Sequence, residues 1–473
     1  MEISTRRSST VINIMLTYQL KKAPGIPLYE ALYRCIRGDI LSGKLPANEK
    51  LPSKRALSAH LEVSKITVEA AYNQLLSEGF IRSQEKIGYF VEPIQSQAAP
   101  VNIAPAPEES PSQLIDLTAN GLSRFPFSVW SKLQREVLLD LGEGLLLPLH
   151  NQGLPVLRSA IAAHLAQFRG MQVDPENILI GAGTDFLYNL LIQLLGRDKR
   201  YAVEEPGYGK IRRIYASAGA ICVGAAMDTQ GVDPRHLSDA QVLHISASHH
   251  FPTGIVTPLS RRLELLRWAH QVEDRWIIED DYDSEFRFDA HPMAAMQSMD
   301  SEKVIYMNTF SKSLAPSIRI SYMVLPRQLM KAYRARLGFY SCTVSGFEQY
   351  TLARFLSRGY FEKHINRMRK SYKALRNRLL SAIESCPVAD DLTILEENAG
   401  LHFILKTDTT LSGDALVAYC ERLGLRVRCL SSYYQEGAPA FAEKSLVINY
   451  SGLTDEELSR LETILKNLKK EQL

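Results

Sequence analysis

The sequence predicts an α/β chain in two unequal parts, and three patterns predict that arrangement. Residues 27–91 read as three short helices followed by two short strands. A stretch rich in proline, alanine, serine and glutamine follows. From Leu114 onward, apolar strand-like runs alternate with helical periods, as in a large doubly wound α/β domain closed by a small C-terminal α/β lobe. At 473 residues the chain exceeds one ordinary domain, so two or three are expected.

Composition narrows the partners. No run of about 18 apolar residues occurs, so no membrane span is expected. Val11–Leu20 is only partly apolar and is followed by no small-residue cleavage site, so no secretory leader is expected. Six cysteines, at 35, 222, 342, 386, 420 and 429, show no CxxC spacing. Such thiols suit a reducing cytoplasm better than a disulfide framework or a metal site, so no metal is expected. The net charge is +3, but residues 1–93 hold 13 Lys/Arg against 9 Asp/Glu while the rest hold 42 against 43. The basic excess lies in the N-terminal part and points to an anionic partner there.

Met1–Lys22 has no clear period and reads as a loosely held extension. Leu28, Leu32, Ile36 and Ile40 then recur at four-residue steps between Pro27 and Gly43, which makes an amphipathic helix with its start and stop marked. Ser53 is placed to cap a second helix, Lys54–Leu61, and Ser64 a third, running to about Glu78 before Gly79. Phe80–Arg82 and Gly88–Val91, joined by the polar turn Gln84-Glu85-Lys86, form a hairpin. Three helices and a hairpin make a winged helix-turn-helix.

The stretch LPSKRALSAHLEVSKITVEAAYNQLLSEGFIRSQEKIGYFV resembles the GntR-type DNA-binding domain along its whole length. The resemblance implies a double-stranded DNA operator as partner. Ser64, Lys65, Thr67 and Tyr72 would face the groove and backbone. Ser53, Lys54 and Arg55 would meet phosphates at the positive end of the second helix, with Lys86 and Gly88 on the wing. Where this domain often carries arginine the chain has Lys65, which lacks a bidentate grip on guanine. The expected boundaries are 24–92 for this domain, 93–113 for a proline-rich linker reaching at least about 25 Å, and 114–473 for the remainder.

In that remainder, strand Asn177–Ile180 runs into Gly181-Ala182-Gly183-Thr184 and a helix to Leu195. A glycine-rich strand-to-helix turn is either a plain turn or a cradle of N–H groups for an anion. Further strands, Tyr201–Glu204 and Val242–Ser246, run into EEPGYGK and SHHFPTG. A long helix is expected over Tyr350–Ala382. The small lobe is expected from near Leu392, with strands Leu401–Leu405 and Leu446–Asn449 and a closing helix Asp455–Leu468.

Two stretches carry the chemistry. The apolar run Val304–Met307 is followed by Thr309, Ser311, Lys312 and Arg319. Such an amine can form a Schiff base while hydroxyls and a guanidinium hold a phosphate dianion, although a solvated loop would read alike in isolation. Upstream, Trp276-Ile277-Ile278 ends in carboxylates and Tyr282. Pyridoxal 5′-phosphate (PLP) needs an anion beside its ring nitrogen and a donor to its phenolic oxygen. The motifs EDDYDSEFR and NTFSKSLAPSIR resemble the fold-type I aminotransferases and, more narrowly, the MocR-type regulators. That resemblance implies PLP as cofactor, with Lys312 bonded to its aldehyde, Asp280 on the ring nitrogen, Tyr282 on the ring oxygen and Tyr208 against the ring face. Gly183, Thr184, Asp185, Thr309, Ser311 and Arg319 would cup the phosphate.

Three departures from an aminotransferase pattern bear on turnover. Phe251 stands where many aminotransferases place an asparagine, leaving the ring oxygen to Tyr282, with or without His250. Val447 stands where the arginine for the substrate carboxylate is found. Lys210 replaces an arginine two residues after the tyrosine; Lys210 with Arg428 or Arg426 is the candidate to meet an effector's anion, and each of the two arginines also reads as a solvated strand residue. The resemblance therefore implies a PLP-dependent regulator that senses an amine, an amino acid or PLP itself. The alternative is an active aminotransferase with an accessory DNA-binding domain. A homodimer is implied, its small domain free to sit on the neighbouring subunit in a head-to-tail swap and to read direct or inverted half-sites.

Overall fold

The computed structural model of the protein describes residues 16–18, 20, 27–93, 114–118, 125–237, 239–288, 294–398, 400–435 and 437–468. The linker expected over 93–113 lies outside the described residues, Pro93 apart. The chain divides into two compact units, 1–110 and 111–473.

The first unit holds α1 (Leu28–Leu41), β1 (Lys50–Leu51), α2 (Lys54–His60), α3 (Lys65–Ser77), β2 (Ile81–Gln84) and β3 (Gly88–Val91). Leu32, Ile36, Leu57, Val68, Ala71 and Leu75 interlock in its core, and burying each large aliphatic contributes about 1.5–3 kcal/mol. Ser53 accepts the Ala56 N–H at 3.1 Å and Ser64 the Thr67 N–H at 3.1 Å, so both helix starts are capped by hydroxyls. The two-residue strand β1 pairs antiparallel with β3, a ladder too short to read from periodicity. Leu16 is buried against this core and Tyr18 donates to Asp39 at 2.7 Å, so that part of the N-terminal extension is held rather than loose.

Two residues depart from their expected place on the DNA face. Tyr72 is fully buried, its hydroxyl donating to Pro52 O at 2.9 Å and its ring edge-on to Tyr89 at 5.0 Å. It lies four residues after Val68 on the core stripe of α3, so helical period overrides its polar tip. Lys54 is drawn inward, 2.8 Å from Glu69 and over the Tyr89 ring.

The second unit carries β4 (Ile115–Asp116), β5 (Ile178–Gly181), β6 (Arg200–Glu205), β7 (Ile221–Asp228), β8 (Gly231–Val232), β9 (Val242–Ile245), β10 (Trp276–Asp280), β11 (Val304–Thr309) and β12 (Ser321–Val324). Its last third adds β13 (Leu392–Leu395), β14 (His402–Thr407), β15 (Leu425–Arg426), β16 (Arg428–Cys429) and β17 (Ser445–Asn449). The large sheet has the order β5-β12-β11-β10-β9-β6-β7-β8. Its centre, β11-β10-β9-β6-β7, is parallel, while β12 runs antiparallel to both neighbours. Strands β5, β9, β10, β11 and β12 are buried along their whole length, as expected where helices cover both faces.

The small lobe is an antiparallel sheet, β13-β14-β17-β16, and it begins earlier in the chain than expected. Strand β4, at the very start of the unit, pairs with β15 and buries Ile115 and Leu117 among the lobe's side chains. The single long helix expected over Tyr350–Ala382 is two, Gly346–Ser357 and Tyr360–Glu384. Gly359 between them takes φ 69°, a conformation open to glycine, and breaks the run.

Candidate functional site

Strand β11 delivers Lys312. Thr309, its last residue, accepts the Ser311 N–H at 3.1 Å through its hydroxyl and so starts a one-turn helix, Phe310–Ser313, that carries the lysine. The lysine side chain is enclosed, and burial pushes its amine down to about 8 against the opposing pull of Asp283. Its Nζ lies 5.9 Å from the centre of the Tyr282 ring. Asp280 ends the neighbouring parallel strand β10, in register with Met307. Lysine and aspartate thus emerge at the carboxyl ends of adjacent strands, where open α/β sheets bind ligands.

Asp280 is supported from behind. Its Oδ2 accepts the buried hydroxyl of Tyr188 and lies 3.4 Å from His244 Nε2. The other nitrogen of His244 is 2.6 Å from the Tyr215 hydroxyl. Oδ1 of Asp280 is buried with no hydrogen-bond partner among the described residues. Tyr282, two residues on, is half-buried, its hydroxyl 3.4 Å from His249 Nδ1, which in turn lies 2.8 Å from Asp283.

At the far end, Gly183 precedes the helix Thr184–Leu195 with φ 86°. A Cβ there would stand 2.3 Å from the Arg319 guanidinium, so only glycine lets the arginine lie across the helix start. The N–H groups of this first turn lie beside the Arg319 guanidinium, and the Ser311 hydroxyl, buried with no hydrogen-bond partner among the described residues, lines the same cavity. The Thr309 hydroxyl accepts from Ser321 at 2.8 Å and reaches Ile320 O only at 3.4 Å, leaving its hydrogen weakly engaged. Asp185 lies 2.7 Å from Lys210 and 3.4 Å from Arg319. Its carboxylate therefore competes for the cations that an incoming anion would need.

Lys312, Asp280, Tyr282, Tyr208, Thr184, Asp185, Thr309, Ser311, Arg319, Lys210 and Arg428 line one cavity of about 480 Å³. Gly183 contributes through the space it leaves. Tyr208 is half exposed and meets Phe251 edge-on at 5.9 Å. His250 is occupied with Thr253 at 2.7 Å, and burial holds it near 3, so it is a neutral imidazole at physiological pH. Val447 packs with Ile404, Leu430 and Ala442 rather than offering a charge. Arg428 is its cross-strand neighbour on β16, whereas Arg426 is paired with Asp116 at 3.2 Å. Of those two arginines, Arg428 is the one on the cavity.

Sequence reasoning missed Tyr188, His244, Glu204 and His402. Tyr188 sits four residues after Thr184, on the same helix face, and that spacing was the available signal. His244 was visible only as a lone histidine in an apolar strand. Glu204 lines the cavity and burial pushes it up to about 8, making it a neutral acid near Asp280. His402 is packed between His249 (4.6 Å) and Phe251 (5.0 Å), and burial holds it well below its ordinary value.

In the first unit, Ser53, Arg55, Ser64 and Lys65 are exposed at the starts of α2 and α3, while the Thr67 hydroxyl is turned to Ser64 at 2.8 Å. Lys86 (φ 61°) and Gly88 (φ 134°) shape the exposed hairpin turn.

A winged helix-turn-helix in one unit, and in the other a lysine-bearing cavity at the carboxyl ends of an aminotransferase-type sheet, define a DNA-binding transcriptional regulator with an aminotransferase-like domain. Comparison with known proteins agrees. The family of bacterial regulatory proteins called gntR matches residues 28–91, and aminotransferase class I and II matches residues 112–465. An uncharacterized HTH-type transcriptional regulator of Bacillus subtilis, YdeL, is 35% identical over 94% of this chain and 97% of its own. The probable rhizopine catabolism regulatory protein MocR of Rhizobium meliloti is 31% identical over 92% of each chain. The pyridoxine biosynthesis regulator PdxR of Corynebacterium glutamicum is 30% identical over 84% of this chain and 87% of its own. Among solved structures, an archaeal alanine:glyoxylate aminotransferase shares the fold of the second unit, with TM-score 0.65 and 23% identity over 75% of this chain and 91% of that one. The chain belongs to the MocR-type family of HTH transcriptional regulators.

Proposed function

We propose that the second unit binds PLP through Lys312 and uses it to sense an amine-bearing effector, or PLP itself, on behalf of the DNA-binding unit. The observation that carries this reading is a pair of buried atoms without hydrogen-bond partners among the described residues, Asp280 Oδ1 and Ser311 Oγ, on two residues that line the Lys312 cavity. A buried polar atom without a partner costs about 1–3 kcal/mol, and a pyridinium N–H at the first and a phosphate at the second would satisfy both. Bound PLP supplies an aldehyde that condenses with primary amines and a ring that withdraws electrons from the bonded carbon.

Each residue then has a physical task. Asp280, braced by Tyr188, holds the ring nitrogen protonated. Tyr282 donates to the ring oxygen, and Tyr208 covers the ring face. The first-turn N–H groups after Gly183, with Thr309, Ser311 and Arg319, hold the phosphate. Arg428 and Lys210 meet an effector's anionic group, because Val447 offers none. Signalling requires that the effector bind two conformations of the protein unequally. The apolar side chains of Phe127, Leu138, Leu139, Leu146 and Leu147 are exposed on one helix and the turn after it, and a second copy of the chain is the partner that fits them. Segments 24–92, 93–113 and 114–473 would then act as reader, linker and sensor, and a homodimer would read two half-sites.

Val447 favours PLP itself as the effector, since no guanidinium awaits an α-carboxylate on β17, and one relative carries the name of a pyridoxine biosynthesis regulator. Purified protein titrated with PLP, then with panels of amines and amino acids, tests both readings. The expected result is a cofactor absorbance band that Lys312→Ala abolishes. One added compound, or PLP alone, should change that band and operator affinity together. Protein that stays colourless with PLP overturns the proposal.

A further inference from the structure

Ile66 is 78% exposed at the second position of α3, among the most exposed large apolar side chains in the described residues. Helix α3 buries Val68, Ala71, Tyr72 and Leu75. At about 3.6 residues per turn, Ile66 lies half a turn out of phase with Leu75, on the side opposite the core.

Apart from exposed Lys65, the polar side chains nearest Ile66 on this turn are engaged within the protein. The Thr67 hydroxyl is 2.8 Å from Ser64, and the Glu69 carboxylate is 2.8 Å from Lys54. The outer tip of the helix start is therefore a branched aliphatic with Lys65 beside it, rather than a set of donors and acceptors. Packing does not explain this, since Ile66 contributes nothing to the core of its unit. The first turn of the second helix of a helix-turn-helix is the part that meets base edges in the major groove. The apolar group that the four bases present there is the C5-methyl of thymine.

We infer that Ile66 reads thymine, selecting a T·A pair in each half-site by burying its C5-methyl group. This rests on the assignment of the first unit as a DNA reader. It gives that reader a base preference that Lys65, a point charge, does not supply.

The test is a selection from randomised duplexes by the full-length, PLP-saturated protein, run in parallel with Ile66→Ala. Ile66 is solvent-exposed, so the variant keeps its core, and an unchanged melting temperature checks this. The wild type is expected to enrich a thymine at one position that Ile66→Ala no longer selects. Replacing that thymine by 2′-deoxyuridine, which lacks only the methyl, should weaken wild-type binding about three- to fivefold and leave Ile66→Ala unaffected. The salt dependence of binding should be equal for the two proteins, because no phosphate contact is lost. The inference is overturned if the variant selects the same thymine, or if the uracil duplex binds wild type as tightly as the thymine duplex. Enrichment of no sequence by the wild type would remove the DNA-reading assignment itself, a distinct outcome.

Discussion

Tyr188 donates its buried hydroxyl to Oδ2 of Asp280, which leaves Oδ1 as the oxygen free to meet a ligand. This bond fixes the carboxylate's rotation at the end of β10. A hydrogen bond to a charged group is worth about 1.5–3 kcal/mol, so its loss should be felt at the ring nitrogen. Tyr188→Phe is expected to weaken PLP binding about tenfold, and Asp280→Asn more than about a hundredfold, measured by absorbance titration. Equal effects of the two changes would show that Tyr188 does more than brace Asp280.

Asp185 lies between Lys210 and Arg319, where the phosphate is proposed to sit, and all three are partly exposed. A phosphate dianion must draw Arg319 away from this carboxylate. Asp185→Asn is therefore expected to tighten binding of PLP two- to fivefold at low salt, an effect that fades as salt screens the pair. Arg319→Ala should erase most of the preference for PLP over unphosphorylated pyridoxal. Weaker PLP binding by Asp185→Asn would show that the carboxylate positions the cations instead of competing for them.

The legibility of the chain follows from where each signal is stored. Helix starts were readable because Ser53 and Ser64 act locally, each bonding an N–H three residues on. Lys312 and Asp280 were readable because each ends an apolar run, and the parallel pairing of β10 with β11 brings them together. The bracing of Asp280 was not, because Tyr188 and His244 reach it from a distant helix and a neighbouring strand. Strand β4 illustrates the same limit: two residues carry no period, and their partner is β15, some three hundred positions away. Tyr72 misled because residue type suggested an exposed contact where helical phase placed it in the core.

Tyr72 and the exposed cations of the reader should separate cleanly. Removing the Tyr72 hydroxyl forfeits its bond to Pro52 O, so Tyr72→Phe is expected to cost about 1 kcal/mol of stability in denaturant melts. DNA affinity at temperatures well below the melt should be unchanged. Arg55→Ala and Lys65→Ala should do the reverse, leaving stability within about 0.5 kcal/mol while lowering the salt slope of binding by about one each. An unchanged slope for both would place the DNA face elsewhere on the unit.

Lys312 carries a cost that depends on pH in a defined direction. Burial pushes its amine from an ordinary 10.5 down to about 8. Below pH 8 the lysine is protonated in folded and unfolded protein alike, and the folded state bears the full penalty of an enclosed charge, about 3 kcal/mol. Between pH 8 and 10.5 the unfolded chain binds the extra proton, so stability rises with pH through that window; above it the penalty is gone. Lys312→Met in the PLP-free protein should therefore raise the melting temperature at pH 7, with the gain shrinking from pH 8 upward. If the second unit holds PLP through Lys312 as proposed, the protonation state of this amine would also set the pH dependence of cofactor binding. The second-order rate of PLP binding is expected to climb about tenfold per pH unit below 8 and to level off above it. Glu204 is pushed up to about 8 as well, so Glu204→Gln decides the assignment. A rate profile that keeps its midpoint in Glu204→Gln belongs to Lys312, whereas one that flattens makes the glutamate the titrating group.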